Sequence, residues 1–230
     1  MEQIRLNKFL AERLGFSRRE ADDLIASGKV FVSGKPAILG QRIDKTQEVC
    51  YNEKIIPFEA KYTYLLLNKP VGFVCSRKRQ GDTSTLYELL PEKYKDLKTV
   101  GRLDKDSSGL ILLTNDGDFA FQMTHPKFVK TKIYEVVLNR ALEPLHQQFI
   151  ADFGVEIGDG VSRLGLLRLD KERKKWEVTM SEGRNRQIRR TFGALGYEVV
   201  ELYRKKFGKY QIGDLAVGDL AVGDFVEIEK

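Results

Sequence analysis

The residues with the most obvious chemical potential lie in Gly101-Arg102-Leu103-Asp104-Lys105-Asp106-Ser107-Ser108-Gly109, a polar stretch running straight into the apolar segment Leu110–Thr114. An acid in a loop abutting a buried strand can be held rigidly while facing a cleft, the placement a catalytic carboxylate needs. Residue type alone favours a plainer reading, in which Asp104 is a turn or capping residue and Gly101, Asp106, Ser107 and Ser108 form the loop. The cations that could answer such a carboxylate gather later, as Arg184, Arg186, Arg189 and Arg190. Across 172–206 there are 10 basic and 5 acidic side chains, a local excess that suits a polyanion, although charge runs also serve as solvated surface. Arg tips the balance, because its planar fork binds phosphate and stacks on bases as Lys does poorly. Other chemistries find little support. His125 and His146 have no Cys or acidic partner at metal-ligand spacing, Cys50 and Cys75 form no Cys-x-x-Cys pair, and there is no glycine-rich nucleotide loop. No metal and no cofactor are expected, and His125 before Pro126 reads as a loop-shaping residue.

The elements that must position these groups can be placed from periodicity. Tyr64–Leu67 reads as a buried strand ended by Pro70, with Gly72–Ser76 as its returning partner. Thr85–Tyr94 reads as a short helix interrupted at Pro91, and Asn115-Asp116-Gly117 is a turn after the strand at Leu110–Thr114. Nearer the N-terminus, Leu6, Phe9, Leu10 and Leu14 recur at helical spacing until Gly15. Ser17-Arg18-Arg19-Glu20 has the form of a capping box, Ala21, Leu24 and Ile25 make the apolar stripe of a second helix, and Gly28 fits its C′ position. Lys29–Val32 then reads as a strand turning at Ser33-Gly34. Residues 52–61 mix charge with Pro57 and lose periodicity, which places a boundary between domains at 1–58 and 62–230.

The chain has 230 residues, 42% hydrophobic and 31% charged, with a formal net charge of +6. That is long enough for a sizeable core and too apolar for global disorder. No stretch approaches the roughly 20 apolar residues of a membrane helix, and Met1–Arg5 lacks a signal-peptide core. A reducing, cytoplasmic setting and a monomer are expected.

Two resemblances sharpen this reading. Arg5–Arg13, Ser17–Ala21 and Gly28–Lys35 resemble the S4-like RNA-binding domain, in which paired helices carry basic residues onto RNA; Lys8, Arg13, Arg18, Arg19, Lys29 and Lys35 occupy such positions. The stretch Gly101-Arg102-Leu103-Asp104 through Ser108-Gly109 to Asn115-Asp116-Gly117 resembles the nucleophile motif of the RsuA-like pseudouridine synthases. Leu67-Asn68-Lys69-Pro70 with Gly72, Thr124-His125-Pro126, Lys132-Ile133-Tyr134, Ser181–Arg190 and the tail from Arg204 to Ile228 fall in the order of that family's further segments. The resemblance implies an α+β fold, with a small helical module followed by a mixed, mostly antiparallel sheet flanked by helices around a deep cleft. It implies an enzyme that isomerises specific uridines of ribosomal RNA, or of a ribosomal subunit precursor, after flipping the base out of its stack.

The resemblance also distributes roles. Asp104 is the catalytic carboxylate and Tyr134 lies against the uracil; read from its strand alone, Tyr134 would be a core residue. An ionised Asp104 in a partly dry pocket needs a neighbouring cation, since burial alone would raise its pKa. Arg189 is the expected partner, with Arg186 and Arg184 as alternatives. Arg102, Arg184, Arg186 and Arg190 are expected on RNA, and Asn68 and Lys69 at the cleft entrance. One departure stands out: Gly213–Val217 is repeated at once as Gly218–Val222, which predicts a bulged loop away from the chemistry. A non-catalytic RNA-binding assembly factor is the competing function, and it would need neither Asp104 nor Tyr134.

Overall fold

The computed structural model describes residues 3–79, 81–213 and 218–230. The chain divides into two compact units, one running to Thr63 together with Asn115–Gly117, the other comprising Tyr64–Thr114 and Asp118–Lys230.

The first unit pairs a two-residue strand β1 (Ile4–Arg5) with β4 (Arg42–Ile43) and carries helices α1 (Leu6–Arg13) and α2 (Arg18–Ala26). Its antiparallel sheet has the order β3 (Lys35–Pro36), β2 (Val30–Val32), β5 (Val49–Tyr51), β6 (Lys54–Ile55). The capping box forms as its sequence requires: the Glu20 amide donates to Ser17 Oγ at 3.2 Å and the Ser17 amide donates to Glu20 Oε2 at 2.6 Å. Leu6, Phe9, Leu10, Ala21 and Ile25 bury their side chains with Val30, Ile43 and Val49 in one core.

The second unit is built on a nine-stranded sheet. Its strands are β7 (Tyr64–Lys69), β8 (Lys98–Val100), β9 (Ser108–Thr114), β10 (Lys132–Leu138), β13 (Gly165–Arg168), β14 (Lys175–Met180), β15 (Val199–Phe207), β16 (Tyr210–Gln211) and β17 (Phe225–Glu227). The order is β13-β14-β10-β15-β9-β7-β17, with β16 on β15 and β8 on β9. Every pairing is antiparallel except β15 with β9, so the fold is α+β with a mixed, mostly antiparallel sheet. Helices α3 (Gly117–Thr124), α4 (Pro144–Gln148) and α5 (Gln187–Gly193) and a small hairpin, β11 (Val155–Glu156) with β12 (Val161–Ser162), complete it.

The unbroken apolar runs of β7 and β9 follow from burial on both faces. Leu65, Leu67, Ile111 and Leu113 enter one core with Trp176 and Val178, while Leu66, Leu110 and Leu112 enter a second with Phe119 and Phe207. Each such aliphatic side chain contributes about 1.5–3 kcal/mol of transfer free energy.

Two expectations are modified, and a third falls partly outside the described residues. Gly72–Ser76 is not a strand: only Val74 bridges, to Thr85, because the Gly72 amide donates to Lys105 O at 2.7 Å and Lys69 Nζ takes the Pro70 and Phe73 carbonyls. Thr85–Tyr94 forms two turns of 3₁₀-helix, Leu86–Leu89 and Glu92–Tyr94, separated at Pro91 as expected but too short for an α-helix. The predicted bulged loop falls partly on 214–217, which lie outside the described residues; on either side, the Gly213 amide donates to Gly218 O at 2.9 Å.

Candidate active site

The one parallel junction of the sheet sets the location. Tyr203 and Arg204 of β15 lie against Ser108 and Gly109 of β9, and Gly109 has φ +102°. A Cβ there would stand 2.4 Å from Arg204 O, so only glycine allows the strands this approach. The chain entering β9 is therefore a loop at the middle of the sheet rather than at its edge. That loop is 101–107. It is pinned from behind by the Gly72 amide on Lys105 O and by the Leu103 amide on Cys75 Sγ at 3.4 Å, and it turns through Ser107 N to Asp104 O at 3.1 Å. Leu103 and Ser107 are buried, which leaves Asp104 between them with its side chain 36% exposed.

The opposite wall comes from the arginine segment before α5. Arg186 is the N-cap residue, held in the left-handed region at φ 48°. Such a conformation costs a non-glycine residue about 1–2 kcal/mol. It carries the guanidinium to the 101–107 loop. Nη1 and Nη2 of Arg186 donate to the two carboxylate oxygens of Asp106 at 3.0 and 2.8 Å, and Nη1 lies 3.6 Å from Asp104 Oδ2. Arg189, one turn on, has Nε 3.2 Å from Asp106 Oδ2 and donates to Asp106 O at 2.7 Å and Val199 O at 2.6 Å. The cation against Asp104 is thus Arg186, one of the alternatives, while Arg189 holds Asp106 and the backbone. Hydrogen bonds from Arg186 hold the Asp106 carboxyl below the usual carboxylate range, against a smaller opposing effect of partial burial.

Tyr134 forms the floor. It is buried on β10, paired with Val178 on β14 and with Arg204 on β15. Ile133 faces Lys206 and Tyr134 faces Arg204, so β15 bulges at Lys205, a distortion that re-aims side chains beside the cleft. The cleft so enclosed has a volume of about 340 Å³, and Asp104, Tyr134, Arg102, Arg184 and Arg186 all line it.

Two further lining residues were given no role of their own from sequence, Lys132 appearing only in the Lys132-Ile133-Tyr134 segment and Arg204 only in the basic run and the C-terminal tail. Lys132 and Arg204 both face the cleft. Burial and the neighbouring Arg204 push the Lys132 ammonium below its usual pKa. Arg204 is 3% exposed, donates from Nε to Leu110 O at 2.8 Å, and among the described residues its buried Nη2 has no hydrogen-bond partner. A period-two reading from Tyr134 would have found Lys132, two residues back on the same strand face.

Other expected positions are distributed differently. Arg184 lines the cleft but donates to Asp159, Gly160, Val161 and Glu182, at 2.8–3.3 Å. Arg190 lies outside the cleft lining and donates to Asp159 Oδ2 at 2.9 Å, Asn185 O at 3.1 Å and Ile157 O. Both clamp the β11–β12 hairpin. Asn68 and Lys69 are buried behind the site rather than at its entrance: Asn68 Nδ2 donates to Leu220 O at 2.8 Å, and Lys69 Nζ to Pro70 O and Phe73 O at 2.9 Å each. In the first unit Arg18, Arg19, Lys29 and Lys35 are exposed, and Lys8 ion-pairs with Glu12 at 3.8 Å. Arg13 instead donates to Phe58 O at 2.5 Å and lies over the Phe9 ring, so it braces its own unit.

Comparison with known proteins bears on the family and the fold. The family model described as RNA pseudouridylate synthase matches residues 63–194, and that of the S4 domain matches residues 4–49. The ribosomal small subunit pseudouridine synthase A of Pasteurella multocida is 36% identical, over 92% of this chain and 91% of its own length. The ribosomal large subunit pseudouridine synthase B of Bacillus subtilis is 34% identical, over 88% of this chain and 85% of its own. A crystal structure of a pseudouridylate synthase superimposes with a TM-score of 0.68 at 31% identity, covering 98% of this chain and 96% of the other. The fold is that of an RNA-modifying isomerase. The chain belongs to the RNA pseudouridylate synthase family, with an S4 domain at its N-terminal side.

Proposed function

We propose that this enzyme converts specific uridines of ribosomal RNA to pseudouridine, with Asp104 as the catalytic carboxylate. The net reaction balances within the substrate: the bond from ribose C1′ to N1 breaks, a bond from C1′ to C5 forms, C5 loses a proton and N1 gains one. Whether the carboxylate attacks covalently or steadies an oxocarbenium-like sugar, it must be ionised. The reading rests chiefly on one observation, the Asp104 carboxylate lining a cleft with the Arg186 guanidinium 3.6 Å away.

The cleft holds too little room for a stacked duplex base, so the target nucleotide enters flipped, at a cost of a few kcal/mol in lost stacking. Tyr134 on the floor offers that base an aromatic face. Arg102, exposed at the rim, is placed to meet the flanking backbone or the gap left in the stack. Arg189 acts by holding Asp106 and the loop. The exposed Arg18, Arg19, Lys29 and Lys35, with Lys8, give the first unit its phosphate contacts.

Asp104→Asn tests the assignment. Purified variant and wild type are incubated with 16S and 23S rRNA transcripts, and pseudouridine is mapped and RNA affinity measured. Loss of product with affinity retained supports the reading; undiminished product removes Asp104 from the chemistry.

A further inference from the structure

Beside the catalytic cleft lies a second hollow of about 320 Å³, sharing Thr124, Lys132, Gly183 and Arg184 as a common wall. Its outer side is the segment from Met123 to Lys130, which the chemistry above leaves unexplained.

Features in and around this segment point the same way. Val129, on the rim, is 65% exposed and sits at φ 40°, ψ 81°. A β-branched residue in the left-handed region is a true outlier, and such strain concentrates at binding and catalytic sites. His125 lines the hollow, and its ring centroid lies 4.6 Å from that of Phe121, which stands outside the lining and is 48% exposed although large and apolar. Lys130 and Lys132 line the hollow, and among the described residues neither has an ion-pair partner, although Lys132 Nζ donates to the Glu182 backbone carbonyl at 2.9 Å. Burial already disfavours the Lys132 charge, so an anion there would restore it. The one acid in the lining, Glu182, is engaged by Arg184 at 2.9 Å and by Gln187.

Cations without counter-ions beside exposed aromatic rings form the elementary device for single-stranded nucleic acid: backbone phosphate on the ammonium groups, base on the ring. We propose that this hollow receives the nucleotide adjacent to the target uridine, with its phosphate on Lys130 and Lys132 and its base on the Phe121–His125 edge. The inference rests on the RNA-substrate reading above. It makes the segment 121–132 a determinant of which unpaired neighbour the enzyme accepts, and it gives the strain at Val129 a purpose, since that residue turns the chain between the aromatic edge and the two lysines.

The test uses the full chain and RNA. 16S and 23S rRNA transcripts partly substituted with 4-thiouridine are irradiated with the protein, and the cross-linked peptides are identified by mass spectrometry. Adducts within 121–132 are expected. The exposed-side double variant Phe121→Ala/His125→Ala should lose them and raise KM on unmodified transcript about tenfold, with kcat within about twofold. Lys130→Glu should raise KM and flatten the salt dependence of binding by about one unit of slope. Adducts elsewhere in the second unit but none in 121–132, or a double variant with unaltered KM, would overturn the subsite. Adducts in 121–132 with no pseudouridine made by the wild type would overturn the proposed function and leave the nucleotide site standing.

Discussion

The Arg186 guanidinium binds Asp106 in a two-pronged bond at 2.8 and 3.0 Å while standing 3.6 Å from Asp104. One planar fork therefore serves both acids of the loop. The well-aligned pair is with the acid that is not the proposed catalyst, so the cation is positioned by Asp106 and its field is felt at Asp104. The Asp104 oxygens stay open to a substrate as a result.

Arg186→Lys should separate charge from shape. Lysine keeps the cation but cannot span two carboxylates. A displacement of about 1 Å at a reacting centre can cost on the order of 10²-fold in rate. We expect kcat to fall by about that factor, with RNA affinity changing less than tenfold. Single-turnover rates beside equilibrium binding would measure both; a lysine variant with the wild-type rate would show that the fork geometry is irrelevant.

The same clamp has a pH signature. Arg186 holds the Asp106 carboxyl below its ordinary value of 3.8. The folded protein thus binds this proton less readily than the unfolded chain, whose carboxyl titrates near 3.9. The stabilisation is complete above that value and fades as pH falls, vanishing once pH drops through the lowered native value. Urea midpoints taken from pH 5 to pH 2.5 should fall more steeply for wild type than for Asp106→Asn. Parallel curves would mean that the clamp contributes nothing to folding.

How much of this was legible in the sequence depended on range. Local signals were reliable: Ser17 and Glu20 form their capping box, and Pro91 separates the two turns around it. The apolar runs at 65–67 and 110–113 belong to strands buried on both faces. The meeting of Asp104 with Tyr134 could be anticipated through family resemblance, since no local pattern links a loop to a strand that pairs elsewhere. Pairings decided by tertiary structure were not legible. Arg189 and Arg186 are three residues apart on one motif, and which of them reaches Asp104 depends on the left-handed turn at Arg186. Arg184 and Arg190 look like free phosphate ligands until the β11–β12 hairpin supplies their acceptors. Gly72–Ser76 has strand composition, but its backbone groups are captured by Lys69 and Lys105.

Two glycines allow backbone strain to be told from close approach. Gly72 has φ +93°, and a Cβ added there would meet nothing within 4 Å; at Gly109, φ +102°, it would meet Arg204 O at 2.4 Å and N at 2.6 Å. Gly72→Ala should cost about 1 kcal/mol. Gly109→Ala adds overpacking and should cost about 3 kcal/mol or more. At roughly 2–4 °C per kcal/mol for a chain of this size, the melting temperatures should differ by at least about 4 °C. Equal melting temperatures would contradict the close parallel approach of β9 and β15.

Lys69 offers the last test, because two opposed effects meet in one buried ammonium. Its Nζ caps the Pro70 and Phe73 carbonyls, each at 2.9 Å, and the segment it holds reaches the Asp104 loop through Gly72 and Cys75. Two hydrogen bonds from a charged donor contribute about 1.5–3 kcal/mol each, while desolvating the charge costs several kcal/mol. Lys69→Met removes both effects, so its stability near neutral pH should change by no more than about 2 kcal/mol, yet kcat should drop on the order of 10²-fold as the loop loses its anchor. Burial pushes the Lys69 pKa down from its ordinary value of 10.5. Between that lowered value and the unfolded one the native state has shed a proton that the unfolded chain still holds, so stability rises with pH across this window. Wild type should therefore gain on Lys69→Met in matched urea titrations as pH rises through the window that ends at the unfolded lysine's value near 10.4. A constant gap over that interval would show that the ammonium is not desolvated, and a variant with full activity would remove Lys69 from the support of Asp104.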